Sequence, residues 1–276
     1  MNRIAIVGVG LIGGSVGLAL RQRAKFSGEI LGVSSERTIS EAVRVGAIDR
    51  GVTLEEAATT ADVLYLAQPI SGIICTLEHL CGIIRPGCLV TDAGSTKARI
   101  MDAARGLPLF LGGHPMAGKE SRGVSSADPD LFEGKTYVFT PRTGDDTDPP
   151  GEEFVRWMSL CGAVPVFLSA EEHDRIVAFT SHLPQLCSTA LASTVGSQVA
   201  EEKHLNVSGA GLKDATRLAL SSWEIWRDII ATNCENIDHA LSVYIDKLTE
   251  MRENLQTQHT GGEFDFAANV AGKVRR

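Results

Sequence analysis

Gly8-Val9-Gly10-Leu11-Ile12-Gly13 follows the apolar run Ile4-Ala5-Ile6-Val7 directly and opens a stretch with helical spacing. Strand, glycine turn and helix in that order form the context in which such a pattern binds a pyrophosphate. Gly8 permits the tight turn, Gly10 lets the backbone approach the phosphates, and Gly13 lets helix pack on strand. The free N–H groups at the helix start, Leu11 and Ile12, face the anion. A glycine turn with no ligand is the plain alternative, and strand, spacing and helix together weigh against it.

Cofactor choice is decided at the end of the second strand, where NAD-specific folds usually place an acid on the ribose diol about 20 residues after the glycines. Here Ile30-Leu31-Gly32-Val33 ends in Ser34, with Ser35, Glu36 and Arg37 behind it. A hydroxyl with the nearby Arg37 guanidinium suits a 2′-phosphate, so NADP is favoured over NAD. Glu36 is the competing feature, since a slightly different loop brings its carboxylate to the ribose.

Two further stretches carry chemistry. Asp92-Ala93-Gly94-Ser95-Thr96-Lys97 lies at the carboxyl end of an expected strand, where an open α/β sheet has its ligand crevice, so Ser95 is expected at the nicotinamide end. Its plainer role is to cap the helix running through Met101. In Leu111-Gly112-Gly113-His114-Pro115-Met116, the glycines and the proline place His114 on a loop rather than a helix face. An imidazole there is a candidate base, against the alternative of a histidine satisfied in the core.

Lys213 and Arg217 are four residues apart and share a helix face, where like charges repel unless an anion sits between them. A substrate carboxylate supplies one; a plain Arg217–Asp214 pair with a solvated Lys213 is the alternative. His173 and His182, nine apart, fall about half a turn out of phase and cannot ligate one metal from a single straight helix, so no metal is expected. Trp223 and Trp226 read as core or dimer contacts. The six cysteines contain no CxxC pair and read as reduced core thiols.

The elements that must position these residues follow a βαβ rhythm: IAIVG, a helix, EILGVS, a helix from Thr38, DVLYLA, SGIICTLEHL and CLVTDA. Thr38 and Thr53 each stand three residues before a glutamate, as a helix-opening capping box requires. Residues 143–151 read as a polar loop, followed by one more helix and strand. From Ser169, itself a capping box with Glu172, strand signal disappears. Ser221 repeats the box before more than thirty proline-free residues, which predict one long helix suited to a dimer. Residues 257–262 read as a loop before a short final helix. The reading is an α/β Rossmann dinucleotide-binding domain over residues 1–168 and an all-helical substrate and dimerisation domain over 169–276.

Composition agrees. A length of 276 residues is nearer two domains than one, and 26 Lys and Arg against 34 Asp and Glu give a net charge of −8, which argues against nucleic-acid or anionic-membrane partners. No run approaches the ~18 apolar residues of a membrane span. With a strand at the N-terminus and no leader ahead of it, the expected location is the cytoplasm.

Together GVGLIGGS, DAGSTK, GGHPMAGKESRG, HDRIVAFTSHLPQ and GLKDATRLA resemble the prephenate/arogenate dehydrogenase family. The resemblance implies oxidative decarboxylation of prephenate or arogenate on the route to tyrosine, in a homodimer joined through the helical domain. It further implies His114 as the catalytic histidine, with Ser95, His182, Lys213 and Arg217 in the substrate pocket. The strand-end acid common in NAD-using members is replaced by Ser34, so cofactor identity does not follow from the resemblance. A β-hydroxyacid or imine reductase, which has no reason for the GGHPMAG loop, is the alternative enzyme. A cofactor-sensing protein without turnover is the alternative of another class.

Overall fold

The computed structural model describes residues 1–142, 147–199, 201–256 and 261–275. Strands and helices alternate as β1 (Arg3–Val7), α1 (Leu11–Gln22), β2 (Glu29–Val33), α2 (Glu36–Arg44), β3 (Arg50–Gly51), α3 (Leu54–Thr60), β4 (Val63–Leu66), α4 (Ile70–Leu80), β5 (Leu89–Asp92) and α5 (Ala98–Ala103). Then come β6 (Phe110–Pro115), β7 (Thr136–Thr140), α6 (Pro149–Leu160) and β8 (Val164–Phe167). The strands form one sheet in the order β3-β2-β1-β4-β5-β6-β7-β8. It is parallel from β3 to β6; β7 then runs antiparallel to β6. Helices cover both faces, so β1 and β4 are apolar without alternation, and Ile4, Ala5, Ile6, Val63, Leu64 and Leu66 are fully buried.

Beyond β8 every described element is helical: α7 (Ala170–Val177), α8 (Leu183–Gln198), α9 (Glu202–Leu205), α10 (Ala210–Thr216), α11 (Trp223–Thr232), α12 (Cys234–Glu253) and α13 (Gly261–Val274). A π-helical segment, Ala178–His182, links α7 to α8. The architecture is thus a Rossmann domain followed by a helical one.

Several local expectations change. α2 is capped by Ser35, whose Oγ accepts from the Thr38 N–H at 3.4 Å, so the helix starts before Thr38 and Glu36 and Arg37 lie in its first turn. The caps at Thr53 and Ser169 form as expected, each accepting at 3.1 Å from the N–H three residues on. Ser221 is no cap; α11 begins after Ser222, whose hydroxyl is taken by Arg122. The single long helix is two, broken at Asn233, whose φ of −132° and ψ of 28° leave the helical region. β3 is two exposed residues and carries no apolar signal; β7 was absent from the βαβ rhythm because its pairing with β6 is antiparallel. Of the cysteines only Cys88 and Cys161 are buried, their thiols pushed up to about 12 by burial, whereas Cys75, Cys81 and Cys234 are exposed. Of the polar loop expected over 143–151, residues 143–146 lie outside the described residues, and its last residues are helical: Asp148 caps α6, which starts at Pro149, by accepting from the Gly151 N–H at 2.8 Å. Residues 257–260 of the second expected loop also lie outside them.

Candidate active site

The strand order reverses between β1 and β4, and a crevice of about 270 Å³ opens there, lined by Gly8, Gly10, Ser34, Thr38, Glu41 and Gln68 among others. Gly8 has φ +90°, and a Cβ on it would stand 2.9 Å from the Ala67 carbonyl, so no other residue fits this turn. Gly10 faces open space, and Gly13 packs directly on the Gly8 carbonyl and Ile6. The start of α1 has no side-chain cap and no acid in its first turn, which leaves its N–H groups free for an anion. These residues fit a dinucleotide pyrophosphate. Ser34 lies in the lining, whereas Arg37 is exposed in the first turn of α2 and outside it; Glu41, one turn further on, lines the crevice and stands 3.5 Å from Arg44.

On the other side of β4 the ladder comes apart in a controlled way. β5 and β6 pair only at Val90–Phe110 and Thr91–Leu111, after which β6 turns to β7. The Gly113 groups left without a ladder partner are taken by side chains: its N–H donates to Asp92 Oδ1 at 3.0 Å and its carbonyl accepts from Lys97 Nζ at 2.6 Å. Lys97 and Asp92 also pair with each other, both fully buried. Burial lowers Lys97 and the Asp92 carboxylate opposes that shift. A Cβ on Gly113 would lie 2.6 Å from the Asp92 carbonyl, so the close approach requires glycine. His114 is therefore inside a strand, at the carboxyl end of β6, and not on the loop expected from its glycines.

His114 Nδ1 lies 2.8 Å from His173 Nε2, and His173 Nδ1 lies 2.8 Å from Asp174 Oδ1. Asp174 in turn accepts the N–H groups of Lys97 and Ala98 at 2.7 and 2.9 Å, so this carboxylate from α7, and not Ser95, holds the start of α5. Ser95 is half-buried on the intervening loop. Burial first, then His173, Lys97 and His182, hold the His114 imidazole well below its ordinary range.

His182 is buried as well, and burial lowers it to about 4. The π segment breaks the phase assumed for a straight helix, and His173 and His182 both end up inside, at 0% and 1% exposure. Asn233, at the helix break, donates to the Asp174 carbonyl at 2.8 Å and meets His182 Nδ1 at 3.2 Å. Trp226 closes on His182 edge to face at 5.8 Å, whereas Trp223 is exposed.

Lys213 is exposed on α10, and Arg217 follows the end of that helix. Arg217 pairs not with Asp214 but with Glu120 at 3.7 Å, on the segment that leaves β6. Both partners of this pair are exposed, and such a contact contributes about 0 to 1 kcal/mol.

The residues that sequence reasoning missed are Asp92, Lys97, Asp174 and Asn233. Each is a polar side chain buried to 4% exposure or less, and each makes its decisive contact with a different element. The available signal was positional: Asp92 and Lys97 flank Ser95, and Asp174 follows His173 within a motif already singled out.

Two family models cover most of the chain: the prephenate dehydrogenase nucleotide-binding domain matches residues 16–164, and the prephenate dehydrogenase dimerization domain matches 169–266. The prephenate dehydrogenase of Lactococcus lactis is 34% identical over 244 residues, 85% of this chain and 66% of that protein. That of Bacillus subtilis is 32% identical over 275 residues, 96% of this chain and 73% of that protein. The chain thus spans about two thirds to three quarters of these two relatives. Among solved structures, the Aquifex aeolicus prephenate dehydrogenase in complex with hydroxyphenyl propionate and NAD+ superposes with a TM-score of 0.88 at 32% identity, covering 100% of this chain and 98% of that one.

Proposed function

We propose substrate, cofactor preference and residue roles from the premise that this chain belongs to the prephenate dehydrogenase family, as an NAD(P)-dependent oxidoreductase of tyrosine biosynthesis. The observation that carries the proposal is a histidine buried at the carboxyl end of β6, with its basicity lowered so that it is neutral and able to accept a proton. Family membership sets aside the hydroxyacid and imine reductase alternative, and an enzyme replaces the sensor.

Bound in the crevice, the dinucleotide supplies the hydride acceptor. His114 Nε2 accepts the ring hydroxyl proton as the carbinol carbon is oxidised and the ring carboxylate leaves as carbon dioxide, and the proton returns to the phenolic oxygen of the product. Ser95 orients the hydroxyl. Because Asn233 donates to His182 Nδ1, His182 Nε2 carries the hydrogen and serves as a neutral donor to the substrate. Lys213 and Arg217 bind carboxylates. Prephenate, with two carboxylates and no cation, suits that pair better than arogenate, whose ammonium both side chains repel.

Arg217→Ala tests this placement. It should raise KM for the dienol about 10-fold or more with kcat little changed, because a charge-assisted contact made in ground and transition states alike is lost. Unchanged KM and kcat/KM would leave Arg217 as the surface partner of Glu120.

For the cofactor we propose NADP, with the 2′-phosphate beside Ser34 and Arg37. The strand end carries no acid, and Glu41, the acid in the crevice lining, has Arg44 beside it. Ser34→Asp should shift the ratio of kcat/KM values toward NAD by ~10- to 100-fold, since a carboxylate there accepts from both ribose hydroxyls and repels a phosphate. Arg37→Ala should weaken NADP and leave NAD almost unaffected. A wild type that prefers NAD, with its preference altered by Glu36→Ala and not by Ser34→Asp, would overturn the assignment.

The helical domain is proposed to pair two copies of the chain. The second family model is a dimerization domain, and Leu220, Ile225, Val243, Ile245 and Leu248 are exposed along α11, α12 and the turn before them. The cytoplasm is the proposed location; no helix among the described residues is long and apolar enough to cross a membrane.

A further inference from the structure

His173 and Asp174, midway along α7, are buried polar groups that the chemistry above leaves unused. Both oxygens of Asp174 already accept backbone N–H groups, from Lys97 and from Ala98. Backbone N–H groups only donate, so Asp174 is an acceptor at this site and the contact with His173 Nδ1 places the hydrogen on that nitrogen. A neutral imidazole protonated at Nδ1 has its lone pair at Nε2. That Nε2 faces His114 Nδ1 at 2.8 Å, and against a neutral His173 it is His114 that donates there, with its own lone pair on Nε2.

We propose that Asp174 and His173 are positioning residues that set the tautomer of His114, so that Nε2 meets the substrate hydroxyl as an acceptor, and that the Asp174 carboxylate offsets the positive charge while the His114 imidazole holds the proton. The inference deepens the function proposed above and rests on it for the source of that proton. In the other tautomer His114 would present an N–H to the hydroxyl, and its lone pair would lie on Nδ1 against His173, out of reach of the substrate proton. As the substrate O–H bond breaks, an N–H bond forms at His114 Nε2. The resulting imidazolium keeps its Nδ1–H on His173, whose own Nδ1–H remains on the Asp174 carboxylate. When the product phenol recovers the proton the three groups return to their starting state, and no proton is gained or lost.

The charged and titratable groups around His114 explain why such an arrangement is needed. Lys97, at the start of α5, and His182, in the π segment, both disfavour an imidazolium, as burial does. Asp92 is engaged by Lys97 and by the N–H groups of Gly94 and Gly113. Asp174, reached through His173, is the anion that offsets the transient charge. Its hold on Lys97 N–H and Ala98 N–H also fixes the carboxylate against rotation, so the direction of the chain of hydrogen bonds is set by backbone.

The test combines nitrogen NMR of the full-length protein labelled with 15N-histidine and steady-state kinetics with the preferred dienol, for wild type, His173→Gln, His173→Leu and Asp174→Asn. A glutamine carbonyl can accept from His114 Nδ1–H, whereas leucine cannot. Wild type and His173→Gln should show His114 protonated at Nδ1, and His173→Leu should shift it toward protonation at Nε2; Asp174→Asn, whose amide oxygen can still accept from His173 Nδ1–H and Lys97 N–H, should keep the tautomer and lose the negative charge. His173→Leu and Asp174→Asn should lose ~10- to 1,000-fold in kcat with KM within about twofold, and His173→Gln should recover at least ~10-fold over His173→Leu. If Asp174→Asn fails to fold because α5 loses its cap, the two His173 variants decide alone, with circular dichroism as the check of their fold. A wild-type His114 protonated at Nε2, or a His173→Leu enzyme with wild-type kcat, would overturn the proposal. The tautomer is read without substrate, so a protein with the stated tautomer that turns over no dienol would refute the proposed function and support the hydrogen-bond assignment.

Discussion

His114→Asn is expected to lower kcat ~100- to 10,000-fold while leaving the fold and the affinity for the dinucleotide unchanged, since that is the range general-base catalysis supplies. The asparagine fits the space at the end of β6 and can still donate to His173, but it offers no nitrogen lone pair to the substrate hydroxyl. The fold should hold because His114 contributes its backbone to the β6–β7 ladder, opposite Val138, whatever its side chain. The cofactor crevice, lined by the first glycine turn and by Ser34, lies on other elements. The His114 imidazole is held below its ordinary 6.5, so it stays neutral and competent as the medium is acidified through that value. The acid limb of the kcat profile should appear only well below it, and should vanish in His114→Asn, where the residual rate has no such base. Near-normal turnover in the variant would remove His114 from its role.

Lys97→Met is expected to destabilise the fold strongly. Asp92 and Lys97 are both fully buried and in contact, and between them they satisfy both backbone groups of Gly113 at the point where β6 leaves β5. Methionine fills similar volume but strands a carboxylate and a carbonyl without their cation. Removing one partner of a buried pair typically costs about 3 to 5 kcal/mol. At ~2 to 4 °C per kcal/mol, the thermal midpoint should fall by roughly 6 to 20 °C. The double variant Asp92→Leu with Lys97→Met, which removes both charges, should recover part of that loss. A midpoint equal to wild type in Lys97→Met would show that Gly113 and Asp92 are held by other means.

The sequence made the dinucleotide site legible because its requirements are local: a turn, a close approach and a helix start all fall within Gly8 to Gly13. The change from strands to helices after Ser169 was legible for the same reason, since periodicity is a property of neighbouring residues. What stayed hidden is long-range. His114 and His173 are 59 positions apart, and nothing in either segment announces that one strand end and one helix will meet. Sequence spacing also misled where the helix was irregular. The phase argument for His173 and His182 assumed 3.6 residues per turn, and the π segment between them invalidates it. Asn233 was unreadable as a break because the residues on either side continue the helical pattern, and its side chain leaves that pattern for the Asp174 carbonyl and His182. Glycines around His114 suggested a loop, yet Gly113 serves a strand that must pass close to Asp92.

The central claim is that this chain oxidatively decarboxylates a cyclohexadienol with His114 as its base, and one measurement addresses it directly. Purified protein and its His114→Asn variant are assayed with prephenate and with arogenate, each against NAD and NADP, following reduced nicotinamide and released carbon dioxide together. The expected result is equal amounts of the two products, fastest with prephenate and NADP, and at least ~100-fold slower in the variant. Absence of nucleotide reduction in all four wild-type combinations, or reduction without carbon dioxide, would contradict the account.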